Sequence, residues 1–302
     1  MEASKIDVLL ADVRGDAVPR MAVAAADDPV VLKVVMEACS AGYAEPVLVG
    51  DAGRISALLG ELGFDAGSCS VVDAPDPAEA ARAAVGLVRA GEADFLMKGM
   101  VQTADFMRPV VNKETGLNVG NVISLVSIME IPGYHKLLTV TDCGITANPN
   151  LEQKRSILEN AVGVLKGLGI DNPKVAVLSA SETVNPKMPD SADAESLATM
   201  NREGVIAGCT VEGPISMDIA LSGHVARKKH YESEIAGDVD VLLMPSVLAG
   251  NLAVKLLGRF VEVKTVSVVA GAAAPIVLTS RGTSPENKLR AIRLAAALAG
   301  RK

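Results

Sequence analysis

Residues 93–109 read Ala-Asp-Phe-Leu-Met-Lys-Gly-Met-Val-Gln-Thr-Ala-Asp-Phe-Met-Arg-Pro. A short apolar run ends at Lys98, Gly99 lets the backbone turn, and Thr103 stands where a helix cap is expected. The same unit recurs along the chain. Met21–Ala26 reads as a strand, and Asp27-Asp28-Pro29 caps a helix running toward Gly42. Pro46-Val-Leu-Val-Gly50 is the next strand, followed by Asp51 and a helix. Ser70–Val72, Lys136–Val140, Lys174–Leu178, Val239–Met244 and Val266–Ala270 repeat the scheme. Short apolar strands separated by helices predict an α/β chain of parallel sheets with helices on both faces.

Two helices carry local start signals. Asn150 and Gln153 have capping-box spacing, and Leu158, Ala161, Val162, Leu165 and Leu168 follow helical period up to Gly169. Ser284 can cap the last helix, with Pro285 at its first position and Leu289, Ile292 and Ala296 as its apolar stripe. Gly167-Leu-Gly169 reads as a helix end, because no dinucleotide fingerprint follows it.

At about 150 residues per domain, 302 residues predict two globular domains. A hydrophobic fraction of 49% excludes disorder. With four Phe, three Tyr and no Trp, the cores must be aliphatic, and stacked platforms for nucleic-acid bases are excluded. A net charge of −7 leaves no basic footprint, so neither nucleic acid nor an anionic membrane is an expected partner. The cysteines (Cys39, Cys69, Cys143, Cys209) lack zinc-ligand spacing and read as neutral thiols in a reducing compartment. The start, Met1-Glu-Ala-Ser-Lys-Ile-Asp, is no signal peptide, and the apolar run Val268–Leu278 is too short to span a bilayer. A cytoplasmic protein is expected.

The sequence holds no G-x-S-x-G, H-E-x-x-H, P-loop or G-x-G-x-x-G motif. His135, His224 and His230 have no metal spacing, and the last two flank Arg227-Lys228-Lys229, which reads as a solvated helix face. Neither a protein nucleophile nor a metal is expected.

Ligands of open α/β sheets bind outside the carboxyl ends of strands, and three polar loops fall there. In the first, Lys98 and Arg108 flank a helix N-terminus that attracts anions, or the helix is simply capped and its cations solvated. In the second, Thr141-Asp142-Cys143-Gly144 leads to Asn148-Pro149, and Asp142 either satisfies backbone donors or orients a substrate group. In the third, Thr279-Ser280-Arg281-Gly282-Thr283-Ser284 is a hydroxyl-rich oxyanion cradle or an ordinary Ser/Thr loop. Ala249-Gly250-Asn251 reads as a fourth loop. Together they point to an enzyme with a cleft for an anionic, phosphorylated small molecule.

At these loops the chain resembles the phosphate acyltransferases, the phosphate acetyl- and butyryltransferases. Lys98-Gly with Thr103-Ala-Asp-x-x-Arg108, Thr141-Asp142-Cys143 with Asn148-Pro149, and Ala249-Gly-Asn251 with Lys255 carry the likeness. Ser181-Glu-Thr-Val-Asn-Pro-Lys-Met-Pro189 and Pro275-Ile-Val-Leu-Thr-Ser-Arg281 resemble the butyryltransferase branch more closely. The resemblance implies reversible transfer of a short acyl group between coenzyme A and inorganic phosphate. No metal and no tightly bound cofactor are implied, because coenzyme A is itself a substrate. The implied partners are acyl-CoA, phosphate, acyl phosphate and further copies of the chain in a homodimer or larger homo-oligomer. The implied fold is two doubly wound parallel-sheet domains with an interdomain cleft, isocitrate/isopropylmalate dehydrogenase-like, divided as 1–121 plus 269–302 and 122–268.

By the same resemblance, Arg281 binds phosphate or polarises the acyl carbonyl, and Ser280 serves the thiol sulfur or the oxyanion. Arg108 and Thr103 anchor phosphate with Lys98 as a supporting cation, while Asp142, Gly250 and Asn251 complete the binding set. The acetyltransferase branch has an Asp where this chain has Asn287, so Glu286 replaces that base or electrostatics dominate. Pro245-Ser-Val-Leu-Ala-Gly-Asn251 also lacks two acids of the usual family loop. The alternatives are a phosphate acetyltransferase and a non-catalytic acyl-CoA- or acyl-phosphate-binding regulatory module. A dehydrogenase on the related fold would need a nicotinamide site and metal-binding acids, for which the sequence has no signature.

Overall fold

A computed structural model describes residues 4–12, 17–280 and 282–300. The chain divides into two compact units. The terminal unit is Leu9–Asn121 with Val266–Lys302; the central unit is Val122–Thr265 with Met1–Val8. Helix α1 (Lys5–Asp12) opens the described chain.

In the terminal unit, β1 (Arg20–Ala24), β2 (Glu45–Gly50), β3 (Ser70–Asp73) and β4 (Phe95–Lys98) alternate with α2 (Pro29–Ser40), α3 (Ala52–Glu61), α4 (Pro77–Arg89) and α5 (Thr103–Val110). Two of these helices, α2 and α3, begin as the sequence predicts, and α4 begins in the same way. Asp28, Asp51 and Asp76 each accept backbone N–H bonds at a helix start, and Pro29 and Pro77 lie in the first turns that follow. The central unit contributes β5 (Ser124–Glu130), β6 (Leu138–Thr141), β7 (Lys174–Leu178), β8 (Thr210–Ile215) and β9 (Val241–Leu243). Its helices are α6 (Leu151–Gly167), α7 (Pro189–Arg202), α8 (Met217–Leu221), α9 (Gly223–Lys228) and α10 (Val247–Phe260). The chain then returns to the terminal unit through β10 (Lys264–Ala270), β11 (Ile276–Val277) and α11 (Pro285–Ala299). The capping box is present on α6, where Asn150 and Gln153 bond each other's backbone at 3.0 Å.

The strand order is β3-β2-β1-β4-β11-β10 in the terminal unit and β5-β6-β9-β7-β8 in the central one. The pairs are parallel except β10–β11 and β5–β6, which are antiparallel. The sheets are therefore mostly rather than wholly parallel, since each unit carries one antiparallel pair. Leu32, Leu48, Leu96 and Ile292 in one unit and Ile128, Val175, Ile215 and Val241 in the other are wholly or almost wholly buried. Phe95 and Phe106 are the largest side chains buried whole. Among the described residues no helix is long and apolar enough to cross a membrane.

Two strands lack a clear signal in the sequence. Strand β5 breaks its apolar run with Ser124 and Ser127, both buried, where Asn160 Nδ2 bonds the first and Cys143 Sγ the second. Strand β8 contains Gly213-Pro214, which reads as a turn. A Cβ on Gly213 would stand 2.9 Å from the Val177 carbonyl oxygen, so the glycine lets β8 lie close to β7.

At the amino ends of β6, β7 and β9, Asp238 meets Lys174 at 2.5 Å, His135 at 2.7 Å and Lys136 at 3.0 Å. These partners, Lys174 foremost, hold its carboxyl well below the ordinary range. The stabilisation is present above the unfolded-state pKa near about 3.9 and is lost as pH falls below it. Solvent screening keeps each exposed pair to about 0.2–1 kcal/mol. Asp238→Asn is therefore expected to lower the melting temperature modestly at pH 7. Melts repeated at descending pH should show the gap narrowing below about pH 4; a gap that is constant with pH would contradict this.

Candidate functional site

In the terminal unit, Lys98 ends β4 and is buried. Its Nζ donates to Gly99 O at 3.2 Å and Val101 O at 3.0 Å. Gly99 N donates to Ala24 O at 2.8 Å and Met100 N to Ala25 O at 2.9 Å, which ties this turn to the end of β1. A Cβ on Gly99 would lie 2.2 Å from the Ala25 carbonyl oxygen, so only glycine fits.

Lys288, in the first turns of α11, is also buried. Its Nζ donates to Thr283 O at 2.6 Å and Ser280 O at 3.3 Å, while Ser280 Oγ and Thr283 Oγ1 lie 2.9 Å apart. Burial pushes its ammonium pKa down, and the Asp28 carboxylate opposes that. Lys98, Thr279, Ser280 and Lys288 line one concavity of about 180 Å³, together with Gly99, Asp28, Val30, Val31 and Met100. It stands at the carboxyl ends of β4 and β11, where α/β sheets bind ligands.

The remaining predicted groups of this unit lie differently. Thr103 is the first residue of α5, so the cap position falls to Gln102, whose side chain makes no capping bond. Arg108 is 74% exposed and paired with Asp105 at 3.1 Å, one turn away on the same helix. Glu286 meets Arg290 at 2.7 Å, and Asn287 Oδ1 accepts from the same guanidinium at 3.1 Å. Neither Glu286 nor Asn287 lines the concavity. Arg281 lies outside the described residues.

In the central unit, β6 ends at Thr141 and the Asp142 side chain is buried beyond it. One carboxylate oxygen accepts from Gly144 N at 2.9 Å and from Leu125 N and Ile145 N at 3.2 Å; the other accepts from Thr146 N at 2.7 Å. All of its observed bonds are to backbone amides, which makes the loop its own anion site. Gly250 and Asn251 are helical rather than in a loop, because Ser246 caps α10 ahead of them. Asn251 Nδ2 donates to Cys143 O at 3.2 Å, and a Cβ on Gly250 would reach within 2.6 Å of Asp142 O. Helix α10 is thus seated directly on the Asp142 loop. Beside the ends of β7 and β8, Ser216 bonds Glu182 at 2.6 Å and Asp218 at 2.7 Å, and Lys229 pairs with both carboxylates. Ser216 foremost, with Lys229, holds both below the ordinary carboxylate range. The cluster has no local signature in the sequence, since Glu182, Ser216 and Lys229 come from separate segments; Lys288 bonds backbone oxygens just upstream, which no side-chain pattern announces.

Burial pushes all four thiols up, Cys143 and Cys209 to about 11, so none is a ready thiolate. Among the described residues no His, Cys, Asp and Glu group could hold a metal ion.

Fold and site define a class: a mostly parallel α/β protein that gathers ammonium groups and hydroxyls at strand ends, as binders of small oxyanions do. The chain belongs to the family described as Phosphate acetyl/butaryl transferase, whose pattern matches residues 77–296. It is 41% identical to the phosphate butyryltransferase of Clostridium acetobutylicum over 97% of this chain and 98% of that one. It is 40% identical to the phosphate acetyltransferase of Thermotoga maritima over 93% and 95% of the two chains. The solved branched-chain phosphotransacylase of Enterococcus faecalis superposes with a TM-score of 0.80 at 31% identity, covering 93% of this chain and 99% of that one.

Two outcomes follow from this geometry. Gly99→Ala should destabilise the protein by about 1–3 kcal/mol, the range of core overpacking, with a denaturant midpoint as the readout; an unchanged midpoint would show that the β1–β4 turn relaxes freely. Ellman's reagent at pH 7 should leave Cys143 and Cys209 unreacted until denaturant is added, and fast labelling of either would refute the raised pKa.

Proposed function

We propose that this chain transfers short acyl groups, butyryl-like in length, reversibly between coenzyme A and inorganic phosphate in the cytoplasm. The observation that carries this is the shared concavity of Lys98, Ser280 and Lys288, found in a chain 41% identical to a phosphate butyryltransferase. The proposal retains the isocitrate/isopropylmalate dehydrogenase-like fold and the domain division 1–121 plus 269–302 and 122–268, which differs from the compact units described above at residues 1–8 and 266–268.

The chemistry needs no protein nucleophile. Phosphate attacks the thioester carbonyl in one direction and the coenzyme A thiolate attacks acyl phosphate in the other. A thiol of pKa about 8.5 is a few per cent ionised near neutrality, and nearby cations raise that fraction. The protein supplies position, and positive charge where the carbonyl oxygen becomes negative. Ser280 donates to that oxygen or to sulfur, and Arg281 neutralises the phosphate. Lys288 fixes the turn that carries Ser280, Lys98 fixes the turn after β4, and both add positive potential. Arg108 and Thr103 take phosphate on its approach, which requires Arg108 to leave Asp105. Asp142, Gly250 and Asn251 shape the central unit's strand-end loop for substrate. Glu286 is held by Arg290 and Asn287 is an amide, so electrostatic stabilisation carries more of the rate than proton abstraction.

The proposal includes a homodimer or larger assembly. Helix α10 leaves Leu248, Leu252, Leu256 and Phe260 exposed at four-residue spacing, with Phe260 79% exposed. Under a two-fold axis such a stripe faces its own copy, which would bury it. Leu252→Asp is expected to shift the mass found by light scattering toward the monomer; an unchanged mass would place the contact elsewhere.

The direct test is thiol release from acetyl-, propionyl-, butyryl- and isobutyryl-CoA, each with and without phosphate. Phosphate-dependent release strongest with the four-carbon chains is expected. Acetyl-CoA as the best substrate would favour an acetyltransferase, and acyl-CoA binding without release would favour the regulatory module. Arg281→Ala, with folding checked by circular dichroism, should lose about 10²–10³ in kcat, the scale of one oxyanion donor. Near-wild-type turnover would remove Arg281 from the mechanism.

A further inference from the structure

We infer that Val30 and Met100 form the wall against which the acyl chain lies, and so set the chain length that is preferred. This rests on the acyl-transfer proposal above and assigns its specificity. Val30 is 48% exposed and Met100 41%, and both line the concavity that holds Lys98, Ser280 and Lys288. Single exposed apolar side chains are ordinary. Two on the lining of a concavity that also holds two ammonium groups make it amphiphilic, as sites for small ligands with a polar head and an apolar body are.

The local structure explains why this wall is apolar. Asp28 Oδ1 accepts from Val30 N and Val31 N at 3.0 Å each, and Pro29, between Asp28 and Val30, has no N–H. The first turn of α2 therefore has its leading amides occupied by its own cap. It offers the concavity CH groups and a carboxylate, which repels an oxyanion. The positive groups come from other elements: Lys98 from the end of β4 and Lys288 from α11. A phosphate or a developing oxyanion is drawn to the two ammonium groups, and the hydrocarbon tail of the same substrate is left with Val30 and Met100, backed by buried Val31.

The test is kcat/KM of the full chain for acetyl-, butyryl- and hexanoyl-CoA at saturating phosphate, in the wild type and in four variants. Val30→Phe and Met100→Phe are expected to lower the butyryl-to-acetyl ratio about tenfold or more, the scale of one methylene in an apolar pocket. Val30→Ala and Met100→Ala should raise hexanoyl relative to butyryl. The KM for phosphate should not move in any of them. The alanine variants, on half-exposed side chains, decide the matter should the larger residues impair folding. If the wild type turns over but every variant scales all three substrates by one factor, the acyl wall is wrong and acyl transfer stands. If the wild type releases no coenzyme A from any substrate with phosphate, the acyl-transfer proposal fails and the acyl wall falls with it.

Discussion

The terminal unit's site depends on a buried ammonium group bonded to two carbonyl oxygens. Lys288 reaches Thr283 O at 2.6 Å and Ser280 O at 3.3 Å, so one cation closes the turn that carries Ser280. An isolated buried charge is costly, and these bonds, with Asp28 in the field, keep it in place. Lys98 does the same work on the neighbouring turn, through Gly99 O and Val101 O. Both cations are thus structural before any ligand arrives. Charge that is already oriented costs no reorganisation when the reacting oxygen becomes negative.

The central unit solves its own loop with the opposite sign. Asp142 gathers backbone N–H groups that would otherwise be orphaned at the end of β6, and α10 packs on the result through Gly250 and Asn251. A carboxylate filled in this way positions the loop. In both units a strand ends, a charged side chain holds the exposed backbone, and a glycine permits the close approach. Neutral thiols fit a reaction whose nucleophile arrives with the substrate.

Local chemistry was the legible part of this chain. Asp28, Asp51, Asn150 and Ser284 cap helices within three residues of themselves, so their roles are written in adjacent letters. Buried parallel strands such as Lys174–Leu178 read as continuous apolar runs. What depended on distant partners was hidden. Strand β5 keeps serines in its buried run because Asn160 and Cys143 bond them. Gly250 and Asn251 read as a loop, since nothing local says that Ser246 starts a helix under them. Lys98 and Ser280 were found from the strand ends, but Lys288 was not. A lysine beside the apolar stripe of α11 looks solvated until Ser280 O and Thr283 O are seen to accept from it.

In the proposed reaction the phosphoryl group sits in the concavity of Lys98, Ser280 and Lys288. A crystal structure with butyryl phosphate tests it most directly. The expected result is difference density with phosphate oxygens within hydrogen-bond distance of Ser280 or Lys288. Ordered density for the ligand elsewhere, with only water in this concavity, would contradict it.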